Sequence, residues 1–152
     1  MSKTKDDLTT LVILAERAER YSDMFNYMLD LIKLGGELSE EDRNLLSVAC
    51  KNTIGPKRSS IRCLAMLEEK HAKDSLKLEC VKELREIVVS EMAKVCNTLV
   101  EILTAHVLAK ASSPADNVFY QKMVGDYYRY LAEALKGDAR SEASAKALDV
   151  YL

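Results

Sequence analysis

The chain has 152 residues, of which 48% are hydrophobic and 30% charged, with only 5 glycines and 2 prolines. This scarcity of helix breakers favours a single all-helical domain over residues 1–152, large enough to bury about 68–70% of its unfolded surface. The formal net charge of −2 excludes a bulk basic field for nucleic acid, so any recognition by charge must be local.

The N-terminus and the cysteines indicate the compartment. The opening residues, MSKTKDDLTT, contain no apolar signal core, and no apolar run reaches the roughly 18 residues of a membrane span. The four cysteines stand 13 to 17 residues apart and form no CxxC pair. We expect free thiols, mostly packed as small apolar groups, in a cytoplasmic or nuclear protein without a membrane partner. The cysteines are Cys50, Cys63, Cys80 and Cys96.

Helical periodicity predicts a first helix over roughly residues 5–20 and a second over 22–34. The first is apolar on nearly every side, so it needs cover both from its own domain and from a partner chain. The second carries one apolar stripe and stops at Gly35-Gly36. We interpret its methionines, Met24 and Met28, as core filling.

The third predicted helix begins after Ser39, an N-cap residue followed by acidic residues that suit the helix dipole. Its apolar pattern continues towards Leu67, but Gly55-Pro56 lies in the middle. Pro56 has no N–H for the Asn52 carbonyl and its ring crowds that group, at a cost of about 3 kcal/mol in a regular helix. The sequence therefore predicts either a kinked helix or two helices.

The remaining pattern predicts two helices and the beginning of another. The fourth, roughly residues 75–109, has the clearest period and the length of an antiparallel bundle member. Ser113-Pro114 begins the fifth and Gly137 closes it. A sixth begins near Ser141 and looks interrupted at Leu152.

No arrangement of residues indicates catalysis or a metal site. The sequence lacks GxSxG, HExxH and a glycine-rich phosphate loop, and neither His71 nor His106 has a partner at ligand or triad spacing. We read both histidines as surface or satisfied core residues. We therefore expect no enzyme activity, no cofactor and no metal.

Two predicted helices each carry a lysine and an arginine seven residues apart, namely Lys51 with Arg58 and Lys122 with Arg129. Residues at this spacing share a helix face, about 10.5 Å apart along the axis. Asp126 lies between the second pair, where it can pair with both side chains. One interpretation is that both pairs are solvated faces with weak intrahelical ion pairs.

The other interpretation is that the two helices face each other and their cations converge on a dianion. A phosphoserine or phosphothreonine carries about −1.5 to −2 charges and three acceptor oxygens, which two arginines and a lysine can satisfy. Tyr130, next to Arg129, adds a hydroxyl donor.

Three segments resemble the signature segments of the 14-3-3 family, in the same order and spacing. They are AERAERYSDM (15–24), ELSEEDRNLLSVACKNTIGPKRSSIR (37–62) and FYQKMVGDYYRYLAE (119–133). The match covers almost the whole chain, from about Leu8 to Leu152. The resemblance implies an all-α antiparallel helical bundle, or superhelix, of the 14-3-3 type. Since family members have further helices, it also implies a chain truncated in the sixth helix, without one wall of the peptide groove.

The resemblance further implies an adaptor in signal transduction that binds phosphoserine or phosphothreonine motifs of client proteins and acts as a homodimer or heterodimer with relatives. The phosphate-binding residues fall on Lys51, Arg58, Arg129 and Tyr130, while Lys122 matches a further groove lysine and Asp126 supports the site. Pro56 stands where the family commonly has a small residue other than proline. A kink there would alter the distance between Lys51 and Arg58.

The implied dimer contact places the first helix, within a dimerisation region of about residues 1–35, against the third and fourth helices of a partner chain. One ion pair of this contact is retained as Arg20 with Glu91, whereas Ile87 stands where a lysine often pairs with Asp23. We therefore expect a homodimer with a weaker or a more apolar contact. The matching positions are Leu14, Ala18, Arg20, Asp23, Ser60, Leu64, Leu67, Leu84 and Glu91.

Two alternatives remain open. A short form that keeps only the dimerisation half would pair with full-length relatives and lower their binding valency. A generic helical-repeat scaffold is suggested by YYRYLAEALKGD (127–138), although no self-similarity with a period of about 34 residues supports it.

Overall fold

The computed structural model describes residues 2–106 and 114–135, and within these the regular structure is entirely α-helical. The predicted all-α class is confirmed. The predicted Ser113 cap, the closing Gly137 and the sixth helix lie outside the described residues. The helices are α1 (Lys5–Arg17), α2 (Tyr21–Lys33), α3 (Glu40–Lys70), α4 (Ser75–His106) and α5 (Pro114–Ala134).

The chain divides into two compact units. Unit 1 contains Met1–Thr53 and Leu99–Lys122, and unit 2 contains Ile54–Thr98 and Met123–Leu152. Helices α3, α4 and α5 each contribute residues to both units. The single domain over residues 1–152 stays a prediction.

Reciprocal hydrogen bonds cap the beginnings of α1 and α3. The Thr4 hydroxyl accepts from the Asp7 N–H at 3.1 Å, and the Asp7 carboxylate accepts from the Thr4 N–H at 2.9 Å. These bonds hold the pKa of Asp7 below its ordinary value, because the ionised carboxylate is the better acceptor. Ser39 and Asp42 form the same pair at 3.0 and 3.1 Å, so the predicted Ser39 cap is confirmed.

The end of α1 is set by a residue in the left-handed region. Glu19 has φ of +58° and donates its N–H to the Glu16 carbonyl at 3.0 Å, while the Arg20 N–H bonds to the Ala15 carbonyl at 2.8 Å. This pair of bonds is the Schellman pattern, which normally uses glycine at the Glu19 position. The helix therefore ends at Arg17, before the predicted bound at residue 20.

In the core of unit 1, α1 and α2 pack against each other, and α3, α4 and α5 also contribute buried side chains. Met24 and Met28 are completely buried, so their interpretation as core filling is confirmed. The buried Thr53 hydroxyl donates to the Tyr21 carbonyl at 3.2 Å and ties α3 to the first residue of α2. The other large buried side chains of α1 and α2 are Leu8, Val12, Phe25, Leu29, Leu31 and Ile32.

Helix α3 continues through Gly55-Pro56 without ending, so the alternative of two helices is wrong. Proline normally disfavours helical geometry in the residue before it, partly through a clash with that residue's Cβ. Gly55 has no Cβ, which removes this part of the clash. The missing hydrogen bond to the Asn52 carbonyl remains as a cost.

Unit 2 has its own apolar core. Two ion pairs join α3 to α4, with Lys57 Nζ 3.5 Å from Glu91 Oε2 and Arg85 Nη1 3.7 Å from Glu68 Oε2. The buried side chains come from all three helices of the unit, and they include Ile61, Leu64, Met92, Cys96, Met123, Val124, Tyr127 and Leu131.

All four cysteines are free, but only Cys50 and Cys96 are buried. We expected most of the four cysteines to be packed, and the structure packs two of them. Burial raises the pKa of the Cys96 thiol to about 12, which keeps it neutral and unreactive at physiological pH. None of the helices in the described part of the chain has the length and apolar character needed to cross a membrane.

Candidate anion-binding site

Two arginines of unit 2 flank the ring of Tyr130. The guanidinium carbon of Arg58, on α3, lies 3.8 Å from the ring centroid, and that of Arg129, on α5, lies 5.2 Å from it. Tyr127, buried beneath, meets Tyr130 edge-on at 5.4 Å and supports it. The structure thus brings together Arg58, Arg129 and Tyr130, three of the four predicted phosphate-binding residues.

Carboxylates hold these arginines in place. Arg58 Nη2 donates to Glu133 Oε2 at 3.0 Å, and Arg62 Nη2 lies 3.9 Å from the same oxygen. Arg129 Nη2 lies 3.8 Å from Asp126 Oδ1, which fits the predicted supporting role of Asp126.

Sequence reasoning missed Glu133 and Arg62. Arg62 follows Arg58 by one helical turn, and Glu133 follows Arg129 by one turn, so their spacing was visible in the sequence. The contact between the two helices was not visible, because a helical period specifies a face but not which residue of another helix lies opposite.

A cavity of about 200 Å³ adjoins Arg58. Two arginines and one carboxylate line it, which leaves one net positive charge beside apolar side chains that screen charge poorly. The Arg58 side chain is 24% exposed, and its Nε is buried with no acceptor among the described residues. The site therefore holds a partly desolvated cation with donor capacity to spare. The cavity is lined by Arg58, Ile61, Arg62, Met92, Tyr130, Glu133 and Ala134.

The predicted lysines belong to the other unit. Lys51 and Lys122 are exposed residues of unit 1, whereas the arginines and Tyr130 belong to unit 2. Their part in one phosphate site, and the expected effect of Pro56 on the position of Lys51, stay predictions.

The predicted dimer residues are mostly exposed in the single chain. Leu14 and Leu84 are 54% and 51% exposed, and Ile87 is similarly accessible. Leu64 is buried, so little of its surface is left for a partner. Their assignment to a dimer contact stays a prediction. Ala18, Arg20, Ser60 and Glu91 are exposed, while Asp23 and Leu67 are half-buried.

The two charged residues predicted to pair across the dimer each have a partner in the same chain. Arg20 pairs with Asp23, and Glu91 pairs with Lys57. An intermolecular bond between Arg20 and Glu91 would have to replace or share these contacts.

Within the part of the chain that the structure describes, no group of three or more histidine, cysteine or acidic side chains is arranged to hold a metal ion. His71 and His106 are half-buried. The side chains of the described site offer hydrogen bonding and charge, from arginines and a tyrosine.

These features define a class: an all-helical protein with two arginines gathered around a tyrosine ring. The sequence model of the family described as 14-3-3 protein matches residues 11–152. The chain therefore belongs to the 14-3-3 family.

Several curated relatives are similar over nearly the whole chain. The 14-3-3 protein theta of Mus musculus and the 14-3-3 protein zeta of Xenopus laevis are each 44% identical to it over 147 residues, which is 97% of this chain and 60% of the relative. The 14-3-3-like protein 2 of Caenorhabditis elegans is 44% identical over 151 residues, or 99% of this chain and 61% of the relative. The chain thus spans about 60% of the length of these relatives.

Proposed function

We propose that this chain is an adaptor that binds phosphoserine or phosphothreonine motifs of client proteins through Arg58, Arg129 and Tyr130. The observation that carries the proposal is the position of both guanidinium groups at the Tyr130 ring, 3.8 and 5.2 Å from its centroid. Membership of the 14-3-3 family supports it. The proposed role is recognition and includes no catalytic step.

The arginines suit a phosphate for two reasons. A guanidinium offers several N–H donors in a planar fork, and a hydrogen bond between ionised groups is about twice as strong as a neutral one. Arg58 is largely withdrawn from water and stacked on an aromatic ring, so its charge is less screened than that of an exposed lysine. A phosphate dianion gains more from such a charge than a carboxylate does, because it carries more charge.

Lys51 and Lys122 are proposed to complete the site. Both are exposed, and a lysine can act on a phosphate as a mobile point charge without a fixed geometry. Replacement of Lys51 by Gln should therefore weaken phosphopeptide binding less than a change at Arg129.

The direct test titrates a fluorescent phosphoserine peptide and its unphosphorylated twin against the full chain. The wild type should bind the phosphopeptide at least about a hundredfold more tightly, since two charge-assisted contacts each contribute about 1.5–3 kcal/mol. Arg129→Glu should abolish this selectivity by placing a negative charge beside the phosphate. Lys70→Glu, an exposed change of the same charge on α3, serves as the control and should retain it.

Equal binding of the two peptides by the wild-type chain would contradict the proposal. Retention of full selectivity by Arg129→Glu would contradict the assignment of the site. The Arg129→Glu variant should sediment like the wild type, since Arg129 is not among the predicted dimer residues.

The second candidate is a short form that only dimerises, with itself or with full-length relatives. The exposed apolar side chains of Leu14, Leu84 and Ile87 favour it, because such surface is commonly covered by a partner. Coexpression with a full-length relative and sedimentation of the isolated chain at micromolar concentration test this candidate. Pairing without phosphopeptide binding would support it over the adaptor, and a chain that pairs neither with itself nor with the full-length relative would contradict it.

The free cysteines fit a reducing compartment, so we propose a cytoplasmic location, with the nucleus as the alternative.

A further inference from the structure

We propose that Glu133 is an internal competitor for the phosphate, occupying Arg58 in the free protein, and that Arg62 takes over its carboxylate when the phosphate binds. This inference rests on the proposed function, since it describes how the same site is emptied for its ligand. It assigns Arg62 a role that does not require contact with the phosphate.

The contacts of one oxygen carry the proposal. Glu133 Oε2 accepts from Arg58 Nη2 at 3.0 Å and lies 3.9 Å from Arg62 Nη2. The carboxylate therefore already lies between two guanidinium groups, close to one and within reach of the other. Because Arg62 follows Arg58 by one turn of α3, both project from the same side of that helix.

Exposure determines which of the three side chains can move. The Glu133 and Arg62 side chains are 47% and 64% exposed, so both can change rotamer at little cost. Arg58 is mostly buried and stacked on Tyr130, so it is the fixed member. A small movement of the Glu133 carboxylate towards Arg62 would free Arg58 Nη2 and still leave the carboxylate paired.

Electrostatics favours this movement only when a phosphate arrives. In the free protein, the partly desolvated Arg58 holds the carboxylate more strongly than the solvated Arg62 does. A phosphate dianion at Arg58 repels the Glu133 carboxylate and accepts from Arg58 Nη2, the donor that Glu133 used in the free protein. Arg62 then provides a positive charge within reach of the displaced carboxylate, so it lowers the cost of displacing Glu133.

A double-mutant cycle with the phosphoserine peptide tests the exchange. Arg62→Gln should weaken binding by about two- to fivefold, the range of an exposed ion pair. Glu133→Gln keeps an oxygen acceptor for Arg58 but removes the competing charge, so it should tighten binding by about two- to fivefold. In the Glu133→Gln background, Arg62→Gln should have no more effect than the exposed control Lys70→Gln, because no carboxylate has to be moved.

A second readout separates competition from a structural role. The gain in affinity from Glu133→Gln should be larger for the phosphoserine peptide than for the same peptide with aspartate in place of phosphoserine. Removal of the Glu133 charge relieves more repulsion for a dianion than for a monoanion. Glu69→Gln, which removes the same charge from an exposed position of α3, should tighten both peptides by less than about 1.5-fold.

The outcomes distinguish this inference from the proposed function. Equal affinity of the wild type for the phosphopeptide and its unphosphorylated twin would overturn both. If the wild type is phosphate-selective, weaker binding by Glu133→Gln would overturn the exchange alone. The exchange would also be overturned if Arg62→Gln had the same effect in the wild-type and Glu133→Gln backgrounds.

Discussion

At the scale of single residues, two positions show what periodicity alone does not reveal. Glu19 adopts a left-handed conformation without being glycine, so no glycine signal marked the end of α1. Glu133 on α5 accepts a hydrogen bond from Arg58 on α3, and no local sequence pattern in either helix predicts that contact. In contrast, the proximity of Arg58, Arg129 and Tyr130 was predictable, because the helical spacing and the family resemblance pointed to the same residues, and their part in phosphate binding stays a prediction.

The left-handed conformation of Glu19 predicts a stabilising substitution. The left-handed conformation costs a residue with a Cβ about 1–2 kcal/mol in the folded state. Glycine avoids this cost, but the greater freedom that it gives the unfolded chain lowers stability by about 0.4–1 kcal/mol. Glu19→Gly should therefore raise the free energy of unfolding by about 0.5–1 kcal/mol, measured by urea denaturation followed by circular dichroism. Glu16→Gly, within α1, is the matched control and should lower it by about 1 kcal/mol. Equal losses in both variants would refute this account of the turn.

At the scale of helices, the described elements follow the predicted order, and most bounds differ by only a few residues. The capping pair of Ser39 and Asp42 explains why the beginning of α3 was predictable. The outcome at Gly55-Pro56 was not predictable, because local propensity argues for an interruption while the apolar pattern continues on both sides. The described helix is continuous, so the stability of its two flanking segments outweighs the cost of the proline.

The continuity of α3 predicts that Pro56→Ala is stabilising. Alanine supplies the N–H that the Asn52 carbonyl lacks and removes the ring that crowds it. After allowance for the greater freedom of the unfolded chain, the free energy of unfolding should rise by about 2 kcal/mol. Pro114→Ala is the control, because proline at the first position of a helix is well tolerated and its removal should change stability little. Destabilisation by Pro56→Ala would show that the proline helps to shape α3.

At the scale of the whole molecule, the candidate site residues are distributed between the two units. Arg58, Arg129 and Tyr130 belong to unit 2, while Lys51 and Lys122 belong to unit 1. The sequence predicted one domain and did not indicate this division, because α3, α4 and α5 each run through it without a linker or a change in composition. The arginine cluster lies entirely in unit 2, so its proposed phosphate binding can be tested first.

The most direct test of the central claim follows the phosphate itself. The phosphorus NMR shift of a phosphoserine peptide, recorded against pH with and without excess protein, reports the second pKa of the phosphate, which is about 6 in the free peptide. Arginines in contact with the dianion should lower this pKa in the complex, because they favour the more highly charged form. Arg129→Gln should reduce the shift. A phosphate that titrates at the same pH with and without the protein would contradict the account.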